Sequence, residues 1–115
     1  MNVKLYNLKK LNEISMGDHA FVRDMLATFV ENVSRDIKLI QSLQLTEDWT
    51  AIAETSHKLA SNFAYLGATK LHDLAAEIEK NVINDNNLTG IAEKTVKLCH
   101  EGTILVNQVN KDFFS

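Results

Sequence analysis

The sequence predicts an all-α protein, an up-and-down antiparallel four-helix bundle with a short extra N-terminal helix. The chain has 115 residues, no proline and only four glycines. A β-rich chain of this size would need more turn residues. Apolar residues recur instead at intervals of three and four, as in helices that bury one face. Short connections between such helices favour antiparallel neighbours.

The first two helices are separated by a glycine. Leu5, Leu8 and Leu11 indicate a short helix that ends near Gly17. A long helix over roughly 18–43 follows from Asp18, whose carboxylate suits a helix N-terminus. Its predicted apolar positions are Phe21, Met25, Leu26, Phe29, Val33, Ile37, Ile40 and Leu43.

Turn and cap residues divide the rest of the chain into three more helices. Thr46 is the predicted N-cap of the third helix, which Gly67 ends as a C′ glycine. Thr69 starts the fourth helix, and Thr89 is predicted to cap the fifth, after a turn at 84–87. The predicted apolar positions are Trp49, Ile52, Ser56, Leu59, Phe63 and Leu66 in the third helix, Leu71, Leu74, Ala75, Ile78 and Val82 in the fourth, and Ile91, Thr95, Leu98, Ile104, Leu105 and Val109 in the fifth.

The composition is that of a globular domain, and its charge narrows the class of partner. Twelve Lys and Arg against 15 Asp and Glu give a net charge of −3, which argues against a general nucleic-acid binder. The single cysteine, Cys99, excludes an internal disulfide and fits a reducing compartment. The chain start leads into no apolar run of signal-peptide or membrane-span length. We expect one domain over 1–115, in the cytoplasm and off the membrane.

His57 is the candidate functional residue because five of its helical neighbours are small. At about 100° per residue, the residues one and two turns away include Thr50, Ala53, Ala60, Ser61 and Ala64. An imidazole surrounded by such small side chains is open to another macromolecule, whereas large apolar residues usually surround a core histidine. These five residues are the predicted partner-binding surface.

Glu79 is the predicted partner of His57 across the helical hairpin at Gly67. His57 lies about 15 Å before the turn and Glu79 about 18 Å after it, so the two are nearly level. A carboxylate on Nδ1 would fix the imidazole tautomer and leave Nε2 free as the nucleophile.

A metal site is the rejected alternative. Glu54 and His57 form the Glu-x-x-His spacing of di-iron bundles. Such a site needs a second copy, but Met16, Thr69 and Lys97 stand three residues before the other histidines, His19, His72 and His100. We therefore expect no metal and no cofactor of the chain's own, and ordinary structural roles for these three histidines.

The chain resembles the histidine-containing phosphotransfer (HPt) domains of bacterial phosphorelays over nearly its whole length. The resemblance rests on His57-Lys58-Leu59, Leu66-Gly67-Ala68, Leu71, Leu74 and Ile78-Glu79, on Leu5-Tyr6-Asn7-Leu8, Leu11, Met16-Gly17-Asp18, Phe21-Val22, Met25-Leu26 and Phe29 near the start, and on Asp48-Trp49.

The resemblance implies a phosphoryl carrier without kinase activity. His57 would accept the group from an aspartyl phosphate on one receiver domain and pass it to another, with Glu79 orienting the imidazole. The implied partners are receiver domains of response regulators and of a hybrid sensor histidine kinase, and Mg²⁺ would belong to the receiver. A monomer is expected.

Two positions depart from the family pattern. Ala60 and Ser61 stand where the family usually has lysine and glycine. The lysine would neutralise phosphoryl charge. Lys58 is the expected partial substitute, and the Ser61 hydroxyl is a possible hydrogen-bond donor to a phosphoryl oxygen. Two other functions stay open: a helical adaptor that binds a receiver or another partner without phosphotransfer, and a homodimeric structural bundle.

Overall fold

Every regular element in residues 3–115, the part of the chain that the computed structural model describes, is a helix. The predicted all-α class is confirmed. The elements are α1 (Lys9–Ser15), α2 (His19–Leu45), α3 (Trp49–Tyr65), α4 (Thr69–Glu79) with a π-helical extension (Lys80–Asn84), and α5 (Ile91–Phe113).

The four long helices pack in a ring, each against the next. α2 contacts α3 and α5, α4 contacts α3 and α5, and α1 packs on α2. The Phe29 ring, in the first half of α2, stacks on the Tyr65 ring, at the end of α3, so this pair of helices runs antiparallel. Between the helices lie the largest fully buried side chains, which are Phe63, Leu11, Leu26, Ile40, Ile52, Leu59, Leu66, Ile78, Leu98, Leu105, Val33 and Val109.

The caps of α2 and α3 are both aspartates. Asp18 accepts a hydrogen bond from the Phe21 backbone N–H at 3.1 Å, as the sequence predicts. The prediction that Thr46 caps α3 is wrong. Glu47 takes a left-handed conformation with φ of 52°, so the chain reverses first and Asp48 becomes the cap, accepting from the Ala51 N–H at 3.2 Å.

The start of α5 also differs from the prediction. Gly90, in the left-handed region at φ 69°, occupies the N-cap position, and no side chain caps the helix. Thr89 instead donates its own backbone N–H to the Asn87 side-chain oxygen at 3.0 Å. An Asx turn at Asn87 therefore replaces the expected Thr89 cap.

Several residues differ from the sequence prediction in their location or their burial. Leu5 lies before α1 rather than in it. Phe21 and Ile104 are exposed instead of buried, while Gly102 is buried. A Cβ on Gly102 would lie 2.7 Å from Ile37 Cδ1. The glycine thus lets α5 approach α2 closely, which explains a residue that otherwise weakens a helix.

Residues 3–7 form a strap that ties the N-terminal segment to α5. Asp112 receives hydrogen bonds from Lys4 and from the Tyr6 hydroxyl, and Gln108 bonds the backbone of Val3 and Leu5. The Lys4 ammonium and the Tyr6 hydroxyl hold the pKa of Asp112 below its usual value. Burial and the same carboxylate raise the pKa of Tyr6 above its usual range.

Because Asp48 rather than Thr46 caps α3, alanine substitutions at these two positions should differ in their effect on the free energy of unfolding. Asp48→Ala leaves the Ala51 N–H without its acceptor and lowers the free energy of unfolding by about 1 kcal/mol. Thr46→Ala changes it by less than about 0.5 kcal/mol. Urea denaturation followed by circular dichroism measures both, and a larger loss for Thr46→Ala would contradict the assignment.

The strap predicts acid sensitivity centred on Asp112. Because its folded pKa is lowered, its stabilising effect is present above the unfolded-state pKa and is lost as pH falls through the folded one. Asp112→Asn should remove part of the loss of stability that wild type shows on acidification below about pH 4. Denaturant midpoints at several pH values measure this, with the exposed Asp24→Asn as control. Equal pH profiles for wild type and Asp112→Asn would contradict it.

Candidate functional site

His57 and Glu79 meet across the α3–α4 hairpin. His57 Nδ1 lies 2.8 Å from Glu79 Oε2. The imidazole is 67% exposed and the carboxylate 35% exposed. This contact occupies one ring nitrogen of an accessible imidazole and leaves Nε2 as the nitrogen open to an incoming group.

The turn at Gly67 sets the register that brings the two residues together. The Ala68 N–H bonds the Phe63 carbonyl at 2.9 Å and the Gly67 N–H bonds the Ala64 carbonyl at 3.2 Å. These two bonds are the Schellman motif, which needs a left-handed residue at C′. Gly67 supplies it with φ of 65°. Its Cα also lies against the Asn7 side chain, where a Cβ would come within 2.5 Å.

One side of His57 is closed, which corrects part of the predicted partner surface. Ala53 is fully buried and Ala60 is only 9% exposed. At about 100° per residue, both lie on the same side of His57 as the buried Ser56. This is the side packed against α4, the helix that carries Glu79. Ala53 cannot contact a partner, and Ala60 offers almost no surface.

The other side of His57 is open. Thr50, Lys58 and Ser61 are exposed there, whereas Ala64, about 20° toward the α4 side of His57, is partly buried. Together with Glu54, His57 and Tyr65, the three exposed residues form the solvent-facing stripe of α3. Three of the five predicted surface residues, Thr50, Ser61 and Ala64, thus remain available to a partner.

Ser56 is the polar residue next to His57 that the sequence pattern placed in the apolar stripe. It is fully buried, and its hydroxyl has no hydrogen-bond partner within the described residues. Its side chain faces the bundle interior, so it takes no part in the exposed site. The neighbouring Thr55 hydroxyl is satisfied by the Ala51 carbonyl at 2.9 Å.

The other candidate ligands and nucleophiles do not assemble into a second site. His72 Nδ1 contacts its sequence neighbour Asp73 at 3.0 Å. Cys99 is buried, and burial raises the pKa of its thiol to about 11, so it is not a reactive thiolate. Across residues 3–115, no three His, Cys, Asp or Glu side chains group as metal ligands would. No helix in this range is both long and apolar enough to span a bilayer.

A family model and a curated relative match this chain. The family model described as Hpt domain matches residues 24–108, which include His57 and Glu79. The virulence sensor protein BvgS of Bordetella bronchiseptica is 23% identical over 75 residues. That match covers 65% of this chain but only 6% of BvgS. No solved structure matches.

The contact between Glu79 and His57 predicts a tautomer. In wild type, Nδ1 should carry the proton of the neutral imidazole because the Glu79 carboxylate is an acceptor beside it. Glu79→Ala should raise the population of the Nε2–H tautomer while changing the free energy of unfolding by less than about 1 kcal/mol. Long-range ¹H–¹⁵N spectra of the imidazole measure this.

Asp73→Ala is the matched control, since it removes the carboxylate beside a different histidine, His72. The His57 spectrum should stay unchanged in that variant. Identical His57 tautomers in wild type and Glu79→Ala would show that Glu79 does not orient the ring.

Proposed function

The chain belongs to the Hpt-domain family, whose members act in phosphorelays, and from this premise we propose that His57 is its phosphoryl acceptor. His57 takes the phosphoryl group from an aspartyl phosphate on one receiver domain and passes it to an aspartate on another. The observation that carries the proposal is the exposed imidazole of His57 with Glu79 on Nδ1. The match to BvgS includes too little of that protein to transfer its activity to this chain.

The proposed step needs no proton transfer. The Nε2 lone pair attacks phosphorus, the bond between phosphorus and the aspartyl oxygen breaks, and the aspartate leaves as a carboxylate. The ring, now bonded through Nε2, carries positive charge and keeps its proton on Nδ1. The Glu79 carboxylate beside Nδ1 stabilises that charge. Attack by a carboxylate of the second receiver reverses these changes.

The positive charge that compensates the phosphoryl group must come from groups other than Ala60, which stands at the family's lysine position. Ala60 has no charge and is nearly buried. Lys58 and Ser61 are exposed on the open side of His57, where an ammonium and a hydroxyl can approach a bound phosphoryl group. We assign Lys58 and Ser61 supporting roles, and we propose that the Mg²⁺ ion of the receiver is the main cation.

The proposal also implies which partners the chain meets, and where. Its partners are receiver domains of response regulators and of a hybrid sensor histidine kinase, which it meets as a monomer in the cytoplasm. The chain needs no cofactor of its own, because the carrier only exchanges one phosphorus bond for another.

The alternative is an adaptor that binds a receiver without accepting phosphate. Ala60 is the observation in its favour, because the site lacks the ammonium group expected one turn after the histidine. An adaptor would use the same exposed stripe of α3 but would not depend on the imidazole of His57.

A transfer assay tests the proposal. Receiver domains encoded in the same genome are phosphorylated with ³²P-labelled acetyl phosphate and Mg²⁺, purified and mixed with the chain. Wild type should gain label that is lost in acid and retained in base, as expected for a phosphoramidate. His57→Gln should gain none, because its amide is not a nucleophile of comparable strength.

His72→Gln is the control for a histidine with a similar carboxylate contact and should label like wild type. Absence of label on wild type with every receiver, or equal label on His57→Gln, would exclude the carrier. Binding without label would favour the adaptor.

A further inference from the structure

The end of α4, where Glu79 lies, has no glycine stop of the kind that ends α3. Its C-cap residue, Lys80, keeps right-handed helical angles, and the chain winds on as the π-helical extension (Lys80–Asn84). The Asp85 backbone N–H bonds the Lys80 carbonyl at 3.0 Å, which is the five-residue spacing of a π-helix. Such turns are rare and often lie at functional sites. Glu79 therefore stands at the junction between two kinds of helix, and other contacts must hold this end of α4.

Lys94, near the start of α5, reaches across to this junction. Its ammonium nitrogen lies 2.8 Å from Asn81 Oδ1 and 3.6 Å from Glu77 Oε1. Glu77 precedes Glu79 by two residues, and Asn81 follows it by two. The Lys94 side chain is only 31% exposed, so most of it is packed in place. One side chain of α5 thus ties α4 on either side of the residue that contacts His57.

The two glutamates at the end of α4 contact opposite neighbouring helices. Glu77 and Glu79 are about 200° apart around the helix and about 3 Å apart along it, and α4 packs against both α3 and α5. Glu79 reaches His57 on α3, whereas Glu77 reaches Lys94 on α5. α4 is therefore held from both sides near the same level. A change in its contact with α5 alters the position of Glu79 relative to α3.

Asn81 is fixed by its backbone as well as by its side chain. Its carbonyl accepts the Asn87 backbone N–H at 2.8 Å, and Asn87 forms the Asx turn that precedes α5. The Lys94 N–H bonds the Gly90 carbonyl at 3.1 Å, which fixes the backbone of Lys94. Both partners of the bond between Lys94 and Asn81 are thus tied to the short connection between α4 and α5. Little further backbone entropy is lost when the bond forms.

The hydrogen bond to Asn81 is the stronger of the two contacts of Lys94. It is short and charge-assisted, and such bonds are roughly twice as strong as neutral ones. The ion pair with Glu77 is longer, and the Glu77 side chain is 51% exposed, so water and salt screen it. The bond to Asn81 should therefore carry most of the effect of Lys94 on the end of α4.

We infer that Lys94 is a positioning residue for the His57 site; its effect on transfer rests on the proposed function of His57. Its contacts with Asn81 and Glu77 hold the end of α4. They thereby keep the Glu79 carboxylate beside His57 Nδ1. Lys94 acts through Glu79 because it lies on the α5 side of α4. Without its ammonium group the junction after Glu79 frays, as helix ends do, and the carboxylate leaves the imidazole for part of the time.

The tautomer of His57 tests the inference without any phosphate. Lys94→Met keeps the apolar stem and removes the ammonium group. It should raise the population of the Nε2–H tautomer of His57 by at least about twofold, in the same direction as Glu79→Ala. Long-range ¹H–¹⁵N spectra of the imidazole measure this. Lys97→Met is the matched control, because Lys97 is an exposed lysine one turn later on α5, and its His57 spectrum should equal that of wild type.

Variants of the two residues that Lys94 contacts separate its hydrogen bond from its ion pair. Asn81→Ala removes the acceptor and should reproduce the tautomer change of Lys94→Met. Asn81→Asp keeps an acceptor oxygen facing the ammonium group and should retain the wild-type tautomer. Glu77→Gln weakens only the longer contact and should change the tautomer less than Asn81→Ala. Circular dichroism checks the folding of each variant, and if Lys94→Met does not fold, the contrast between Asn81→Ala and Asn81→Asp decides.

A double variant separates positioning from a general loss of stability. Lys94→Met should lower the transfer rate at saturating receiver by about three- to tenfold, because the imidazole is less often oriented for attack. In the Glu79→Ala background the same substitution should lower it by less than about 1.5-fold, since the residue through which Lys94 acts is already gone. A merely structural role would give equal fold-changes in both backgrounds. The apparent affinity for the receiver should stay within about twofold of wild type.

The results for the tautomer and for transfer distinguish this inference from the proposed function. A wild-type His57 spectrum in both Lys94→Met and Asn81→Ala overturns the inference, as does a wild-type spectrum in Glu79→Ala or an equal loss of rate in both backgrounds. None of these results excludes phosphate acceptance by His57. A tautomer change in Lys94→Met that Lys97→Met does not show supports the inference even if wild type accepts no phosphate, an outcome that excludes only the proposed function.

Discussion

The left-handed turn at Gly67 is the constraint on which the candidate site depends. Its two backbone hydrogen bonds end α3 and start α4 within three residues. That short connection determines the register of the hairpin, and the register places Glu79 beside His57 Nδ1. A change of one residue in the connection would rotate α4 by about 100° relative to α3. The contact, and with it the proposed orientation of the imidazole, depends on backbone geometry about 15 Å away.

The packing of the same hairpin divides the surroundings of His57 into two parts with different roles. α4 covers Ala53 and Ala60, so the α4 side offers an orienting carboxylate but no surface for a partner. The α2 side exposes Ser61, Tyr65 and the apolar flank of α2. In the proposed transfer, Glu79 orients the imidazole and stabilises its charge. The absence of the family's lysine at Ala60 then affects charge compensation in the proposed phosphoryl-transfer step.

Much of the fold and part of the site can be predicted from the sequence. The helix periodicity, the stop at Gly67 and the level placement of His57 and Glu79 follow from local geometry. Thr46 and Thr89 were the wrong caps because left-handed residues at Glu47 and Gly90 move the helix starts. Ala53 and Phe21 show that the pattern of a single helix does not determine burial. A helical wheel shows which residues share a face of one helix. Whether they are buried depends on the neighbouring helices, which cover the small Ala53 and leave the large Phe21 exposed.

The position of the phosphoryl group on the protein distinguishes Nε2 of His57 from every other acceptor. The chain is phosphorylated by its receiver in ¹⁵N-histidine-labelled form, and ³¹P–¹⁵N coupling identifies the nitrogen bonded to phosphorus. We expect one phosphoramidate, on Nε2 of His57, because Glu79 occupies the Nδ1 side. Phosphate on Nδ1 of His57, on another histidine or on a carboxylate would contradict it.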